Sequence, residues 1–172
     1  MCVVGKDAEI RGGLRIPASF CLFWGSYFET KIKMGVDRKM DEKTGTLRKQ
    51  RGRASVVFEN PPLIMAAAST VGKKEGDGPL GVFFDRVELD PMLGKKSWEE
   101  AESELQSRTA GLVIEKSGLS KEEIRYSFAG DLLAQLIATS FGNINLEIPM
   151  FGLYGACSTM GEGLGLGAMC VE

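Results

Sequence analysis

Two residues in this chain have the type and setting for chemistry, a thiol and a carboxylate. Cys157 stands in Gly155-Ala156-Cys157-Ser158-Thr159, after an apolar run from Ile148 to Tyr154 and before a segment from Ser158 to Cys170 expected to form a helix. The N-terminus of a helix offers unpaired N–H groups and about half a positive charge, which favour a thiolate. Gly155 and Ala156 are small enough for a sharp bend and for close approach of a ligand. A buried structural thiol suits the same position, so the residues alone leave both readings open. Asp131 follows Ala129-Gly130 at the expected start of a second helix, where its carboxylate could accept orphan N–H groups as a cap.

What is missing narrows the chemistry. The chain has no histidine, which excludes a Ser-His or Cys-His pair within this polypeptide and any histidine-based metal site. The four cysteines, Cys2, Cys21, Cys157 and Cys170, have no zinc-knuckle or Cys-x-x-Cys spacing. Without a secretory signal, reduced thiols are the expected state. A net charge of −2 gives no electrostatic footing for nucleic acid or an acidic membrane. Apolar residues make up 44% of the 172, enough for one globular core.

The elements that must position these groups begin after residue 53. Residues 1–53 read as an N-terminal extension, flexible or upstream of the true start, with Met34 and Met40 as alternative starts. Within it, the apolar patch from Leu14 to Phe28 is broken by Pro17 and Gly25 and falls short of the ~20 residues of a membrane-spanning helix. From Glu29 to Arg53 the chain is basic and without apolar period, as in a solvated linker.

From Ala54 to Glu172 the pattern is regular. Ser55 to Phe58 and Leu63 to Val71 read as strands, the second buried on both faces, followed by a glycine-rich loop through Gly76, Gly78 and Gly81. Ser97 and Glu100 open a helix as a capping box, with Trp98, Ala101, Leu105, Leu112 and Val113 facing inward and Gly118 closing it. Ser120 and Glu123 repeat the capping signature, and Ile124, Tyr126 and Phe128 alternate like a strand. A helix is expected from Asp131 to Ser140 with Leu132, Leu133, Leu136 and Ile137 inward, then a strand from Ile148 to Tyr154. Gly161, Gly163, Gly165 and Gly167 fall inside the last helix, which is expected to fray unless packed. Strands alternating with helices predict an α/β fold of β-α-β units with a mostly parallel sheet.

The strand, Gly-Ala-Cys-Ser-Thr turn and helix resemble the nucleophile site of thiolases and ketoacyl synthases. The wider combination is more specific: Gly72-Lys73-Lys74-Glu75-Gly76-Asp77-Gly78-Pro79-Leu80, Phe84-Asp85, Ala129-Gly130-Asp131-Leu132-Leu133, and Gly155 to Thr159. Over residues 52–172 it resembles the stage V sporulation protein AD family. That resemblance implies the first half of a thiolase-like fold over 54–172, in a spore-forming bacterium. It implies a non-enzymatic protein that binds dipicolinic acid, with calcium, and supports its uptake into the developing spore.

Carried onto this chain, the implied ligand-binding residues are Asp131, Cys157, Ser158 and Thr159. Lys74 is a further source of positive charge, and Glu75 and Asp77 of calcium oxygens. Asp131 would repel a bare dianion and acts either through calcium or as a cap. The resemblance also implies a homodimer, other spore membrane uptake proteins as partners, and a soluble protein peripheral to the spore inner membrane. Lys73, Ala134 and Met160-Gly161 depart from the family pattern; Ala134 replaces an amide that could bond a ligand. The chain is expected to be an N-terminal half, poorly stable alone. The alternatives are a thiolase-type acyltransferase using Cys157, which needs a base or oxyanion donors from elsewhere, or a truncated product without activity of its own.

Overall fold

The computed structural model describes residues 2–5, 8–10, 14–16, 19–23, 50–51, 55–58, 61–133 and 135–171. In chain order the strands and helices are β1 (Cys2–Gly5), β2 (Ala8–Ile10), β3 (Leu14–Ile16), β4 (Ser19–Phe23), β5 (Gln50–Arg51), β6 (Ser55–Val56), β7 (Leu63–Ala68), β8 (Thr70–Gly72), α1 (Lys73–Gly76), β9 (Arg86–Glu88), α2 (Trp98–Ser117), β10 (Ile124–Ala129), α3 (Ile137–Asn143), β11 (Met150–Gly152) and α4 (Thr159–Val171). Five strands form the main sheet in the order β11-β10-β1-β4-β7. β10 and β11 run parallel, as do β4 and β7, whereas β1 is antiparallel to both its neighbours. The chain is α/β, with a mixed sheet. Most of residues 1–53 lies outside the described residues; β1 and β4, from that segment, occupy the middle of the sheet.

α2 forms where local signals ask for it. The Ser97 side chain accepts the Glu100 N–H at 3.2 Å, and Gly118 closes the helix in the left-handed region at φ 70°. Its buried stripe is Ala101, Gln106, Thr109, Ala110, Val113 and Ile114. Trp98, expected inside, is 58% exposed, whereas Ala101 in the same turn is buried. Thr109 donates to the Leu105 carbonyl and shares a 2.6 Å hydrogen bond with Thr70, so its hydroxyl is satisfied inside the core.

One core cluster lies under α2, joining Ala66 and Ala68 to Ala110, Val113, Ile124, Leu146 and Ile148. A second lies under α4, where Phe128 meets Leu153, Leu164 and Val171. Complete burial of a valine such as Val113 contributes roughly 1.5–3 kcal/mol.

The apolar run from Leu63 to Val71 is not one doubly buried strand. It divides at Ser69 into β7, at the edge of the main sheet with Leu63 and Ile64 exposed, and β8, which pairs with β9 in a separate ladder. Asp85 accepts from the Ser69 N–H at 2.8 Å and from its hydroxyl at 3.1 Å, which takes Ser69 out of the ladder. The glycine-rich segment after it begins with the single turn α1.

The helix expected from Asp131 starts six residues later, at Ile137. Gln135 and Leu136 hold positive φ values of 55° and 74°, so the chain turns twice before it coils. Leu132 and Ile137, expected inward, are exposed. The strand expected from Ile148 to Tyr154 narrows to β11, since only those residues find a ladder partner on β10. α4 runs unbroken through its glycines. Gly163 and Gly167 are buried, and packing of the helix on β1, β4 and β10 offsets their low helix propensity.

Candidate functional site

β10 and β11 are parallel neighbours with Ala129 beside Gly152, so the turns that follow them leave the sheet side by side. The stacked rings of Phe128 and Phe151, 5.0 Å apart, and the Leu153 N–H donating to the Ala129 carbonyl at 2.8 Å fix the pair. The turn after β10 carries Asp131 and the turn after β11 carries Cys157. Gly130 presses them together: a Cβ at this position would lie 1.9 Å from the Leu153 carbonyl oxygen and 2.8 Å from Cγ2 of Thr159. Only glycine lets these two loops meet as they do. Ligand sites of α/β sheets commonly form at such carboxyl ends of parallel strands.

Asp131 is 7% exposed. Its Oδ2 accepts the Thr139 N–H at 2.7 Å and also the Thr139 hydroxyl. Thr139 is in the first turn of α3, so Asp131 caps that helix from outside, across the intervening turns. Its other oxygen, Oδ1, is buried without a hydrogen-bond partner among the described residues, which in a low-dielectric setting leaves an acceptor open for a donor. Glu102 on α2 is a second carboxyl here. Burial, and then the charge of Asp131, push its pKa above the ordinary range, against a hydrogen bond with Gln106.

Cys157 is an exposed free thiol in the 3-10 turn Ala156–Ser158 that leads into α4. Ala156 before it has φ 52°, a left-handed conformation that costs a non-glycine residue roughly 1–2 kcal/mol. The turn is held by its own hydroxyls. Ser158 donates to the Gly155 carbonyl at 2.6 Å and also bonds Glu162, and Thr159 Oγ1 accepts the Gly155 N–H at 3.1 Å. Ser158 and Thr159 therefore brace the thiol's loop.

Of the residues singled out from sequence, Asp131 lies on the first of these adjoining turns and Cys157, Ser158 and Thr159 on the second. Lys74 lies on α1, which packs mainly against β8, β9 and the Gly81–Phe83 turn. Lys73 pairs with Asp77 there, and Glu75 is exposed. Thr139 and Glu102 escaped the sequence reading; the one usable signal was a glutamate next to the inward-facing Ala101 on α2. Among the described residues no group of three or more His, Cys, Asp or Glu side chains is placed to hold a metal ion. Asp131 and Glu102 alone do not fit a protein-held calcium, which takes six to eight oxygens. Ala134 lies outside the described residues.

The model of the family described as stage V sporulation protein AD matches residues 52–172. The chain belongs to the stage V sporulation protein AD family. Among curated proteins it is similar to stage V sporulation protein AD of Bacillus subtilis (strain 168), 36% identical over 124 residues. That match takes in 72% of this chain and 37% of the relative, so the chain spans little more than a third of the relative's length. Membership assigns the chain to sporulation and fits a spore-forming bacterium. Among the described residues no helix is long and apolar enough to cross a membrane.

Proposed function

We propose that this chain contributes the pocket of a non-enzymatic sporulation protein that binds dipicolinic acid and supports its uptake into the developing spore. The observation that carries the reading is the close approach, at Gly130, of the turn that bears Asp131 to the turn that bears Cys157, in a chain of this family. Dipicolinate presents two carboxylates flanking a ring nitrogen. Backbone N–H groups at the start of α4 are natural partners for one carboxylate. The open Oδ1 of Asp131 repels a bare carboxylate and so orients the ligand, or takes a hydrogen bond from a protonated form. The thiolase-like architecture, a homodimer, spore membrane uptake proteins as partners and a peripheral place at the spore inner membrane belong to the same proposal.

Calorimetric titration with dipicolinate tests it. Saturable heat is expected, lost in Cys157→Phe, whose ring fills the exposed site without touching the core, and reduced with benzene-1,3-dicarboxylate, which lacks the ring nitrogen. Protein that is folded by circular dichroism but gives no saturable heat would overturn the reading.

A second reading is favoured by one observation, the exposed thiol on a strained turn. In it the Cys157 thiolate attacks an acyl-CoA thioester, forms the acyl-cysteine and releases the CoA thiol. Incubation with an acyl-CoA followed by peptide mass spectrometry decides, since an acyl increment on Cys157 belongs to this reading alone.

A further inference from the structure

α3 is amphipathic the wrong way round for a helix that only covers a core. Its small and polar residues Ala138, Thr139, Gly142 and Asn143 are buried, while Ile137, Phe141 and Ile144 just beyond its end are 47%, 64% and 65% exposed. The inward face is matched to α2 at backbone distance. Ser103 donates to the Ala138 carbonyl at 2.9 Å, and a Cβ on Gly142 would lie 2.7 Å from the Ser103 carbonyl. The helix therefore cannot rotate to bury its large side chains without losing these contacts.

Beside the apolar face runs an open groove of about 560 Å³ between α2 and α3, floored by Ser103 and Gly142 and walled by Ile137 and Phe141. Its far wall is acidic. Glu99 and Glu100 line it, and no cation among the described residues pairs with either, while the one lining lysine, Lys95, is bound to Glu104 at 3.0 Å. Glu100 accepts the Lys96 N–H at 3.0 Å, but an exposed apolar strip joined to carboxylates that no side-chain cation among the described residues neutralises is the complement of one kind of surface.

We infer that the outer face of α3 and the acidic groove beside it form a docking site for an amphipathic helix of a partner protein, with lysine or arginine flanking its apolar side. The α2 wall from Trp98 to Ser107 is about 15 Å long at 1.5 Å per residue, room for roughly three turns of such a helix. Phe141 is the anchor, and Glu99 and Glu100 set the orientation by pairing with the flanking cations.

The test is fluorescence anisotropy of a labelled leucine–lysine amphipathic peptide of about four turns, with a leucine–glutamate peptide of the same pattern as control. Saturable binding of the first and not the second is expected. Phe141→Ser should weaken it about tenfold. Glu99→Lys combined with Glu100→Gln should weaken it at least about fivefold, mainly through slower association, and flatten the salt dependence. Glu100→Gln keeps an acceptor for the Lys96 N–H that Glu100 holds at 3.0 Å, so the glutamate pair tests the proposal even if Phe141→Ser were to disturb folding. Equal binding of both peptides, or indifference to both sets of substitutions, would overturn it. So would sedimentation showing a dimer that Phe141→Ser dissolves and the peptide does not displace, since a second copy would then own the face.

Discussion

Substituting Gly130 by alanine tests the site's construction most directly. The new methyl carbon would stand 1.9 Å from the Leu153 carbonyl oxygen, where carbon and oxygen normally keep about 3.3 Å or more. The oxygen cannot retreat freely, because the same residue's N–H is bound to the Ala129 carbonyl at 2.8 Å. Relief requires the two turns to part, with loss of that hydrogen bond, about 1 kcal/mol net, and an overpacking strain of roughly 1–3 kcal/mol. The expected cost is about 3 kcal/mol, or a fall of roughly 6–12 °C in Tm for a domain of this size. Gly161→Ala is the control: exposed, inside α4, with nothing within 4 Å of its added carbon. It should stabilise by about 0.5–1 kcal/mol through helix propensity alone. Thermal melts followed by circular dichroism measure both. If Gly130→Ala melts within about 2 °C of the parent, the two turns are not pressed together and the site as described is wrong.

Other substitutions probe single bonds and one ionisation. Ser97→Ala removes the side-chain cap of α2 and should cost about 1 kcal/mol in urea unfolding, with Ser97→Asp close to neutral. Thr139→Val deletes the hydroxyl bonded to the buried Asp131 carboxylate and should cost roughly 1.5–3 kcal/mol, most of it regained with Thr139→Ser. Glu102, whose pKa is raised by burial and then by Asp131, holds its proton more tightly folded than unfolded. Stability should therefore fall as pH rises from the ordinary value of 4.5 through the raised one, and Glu102→Gln should flatten that slope in melts across the same window. An unchanged slope in the variant would assign the titration to another group.

The parts of the fold legible in the sequence are those decided by neighbours along the chain. Ser97, Glu100 and Gly118 mark α2 to the residue because caps act within one turn. Ile124, Tyr126 and Phe128 lie in β10, which ends where Ala129-Gly130 said it would. What the pattern could not carry is contact at a distance. The break at Ser69 is made by Asp85, sixteen residues on. The late start of α3 follows from an Asp131 carboxylate that reaches past two turns to Thr139, and an apolar count cannot foretell a helix that buries its glycine and shows its phenylalanine. The site divides the same way. The turns that bear Asp131 and Cys157 are legible from turn chemistry, whereas Glu102 and Thr139 reach Asp131 only through packing of α2 and α3.

The bond from Asp131 to Thr139 also sets which parts of the molecule open together. α3 has seven residues, below the ~12–15 at which a helix persists by itself in water, so it stays coiled because its inner face packs on α2 and its first turn is tied to a buried carboxylate. Slow exchange of the Thr139 amide with solvent deuterium then reports on the candidate site as well as on the helix. Whenever the Asp131 turn swings out, α3 is released with it, and the two form one cooperative unit of local unfolding.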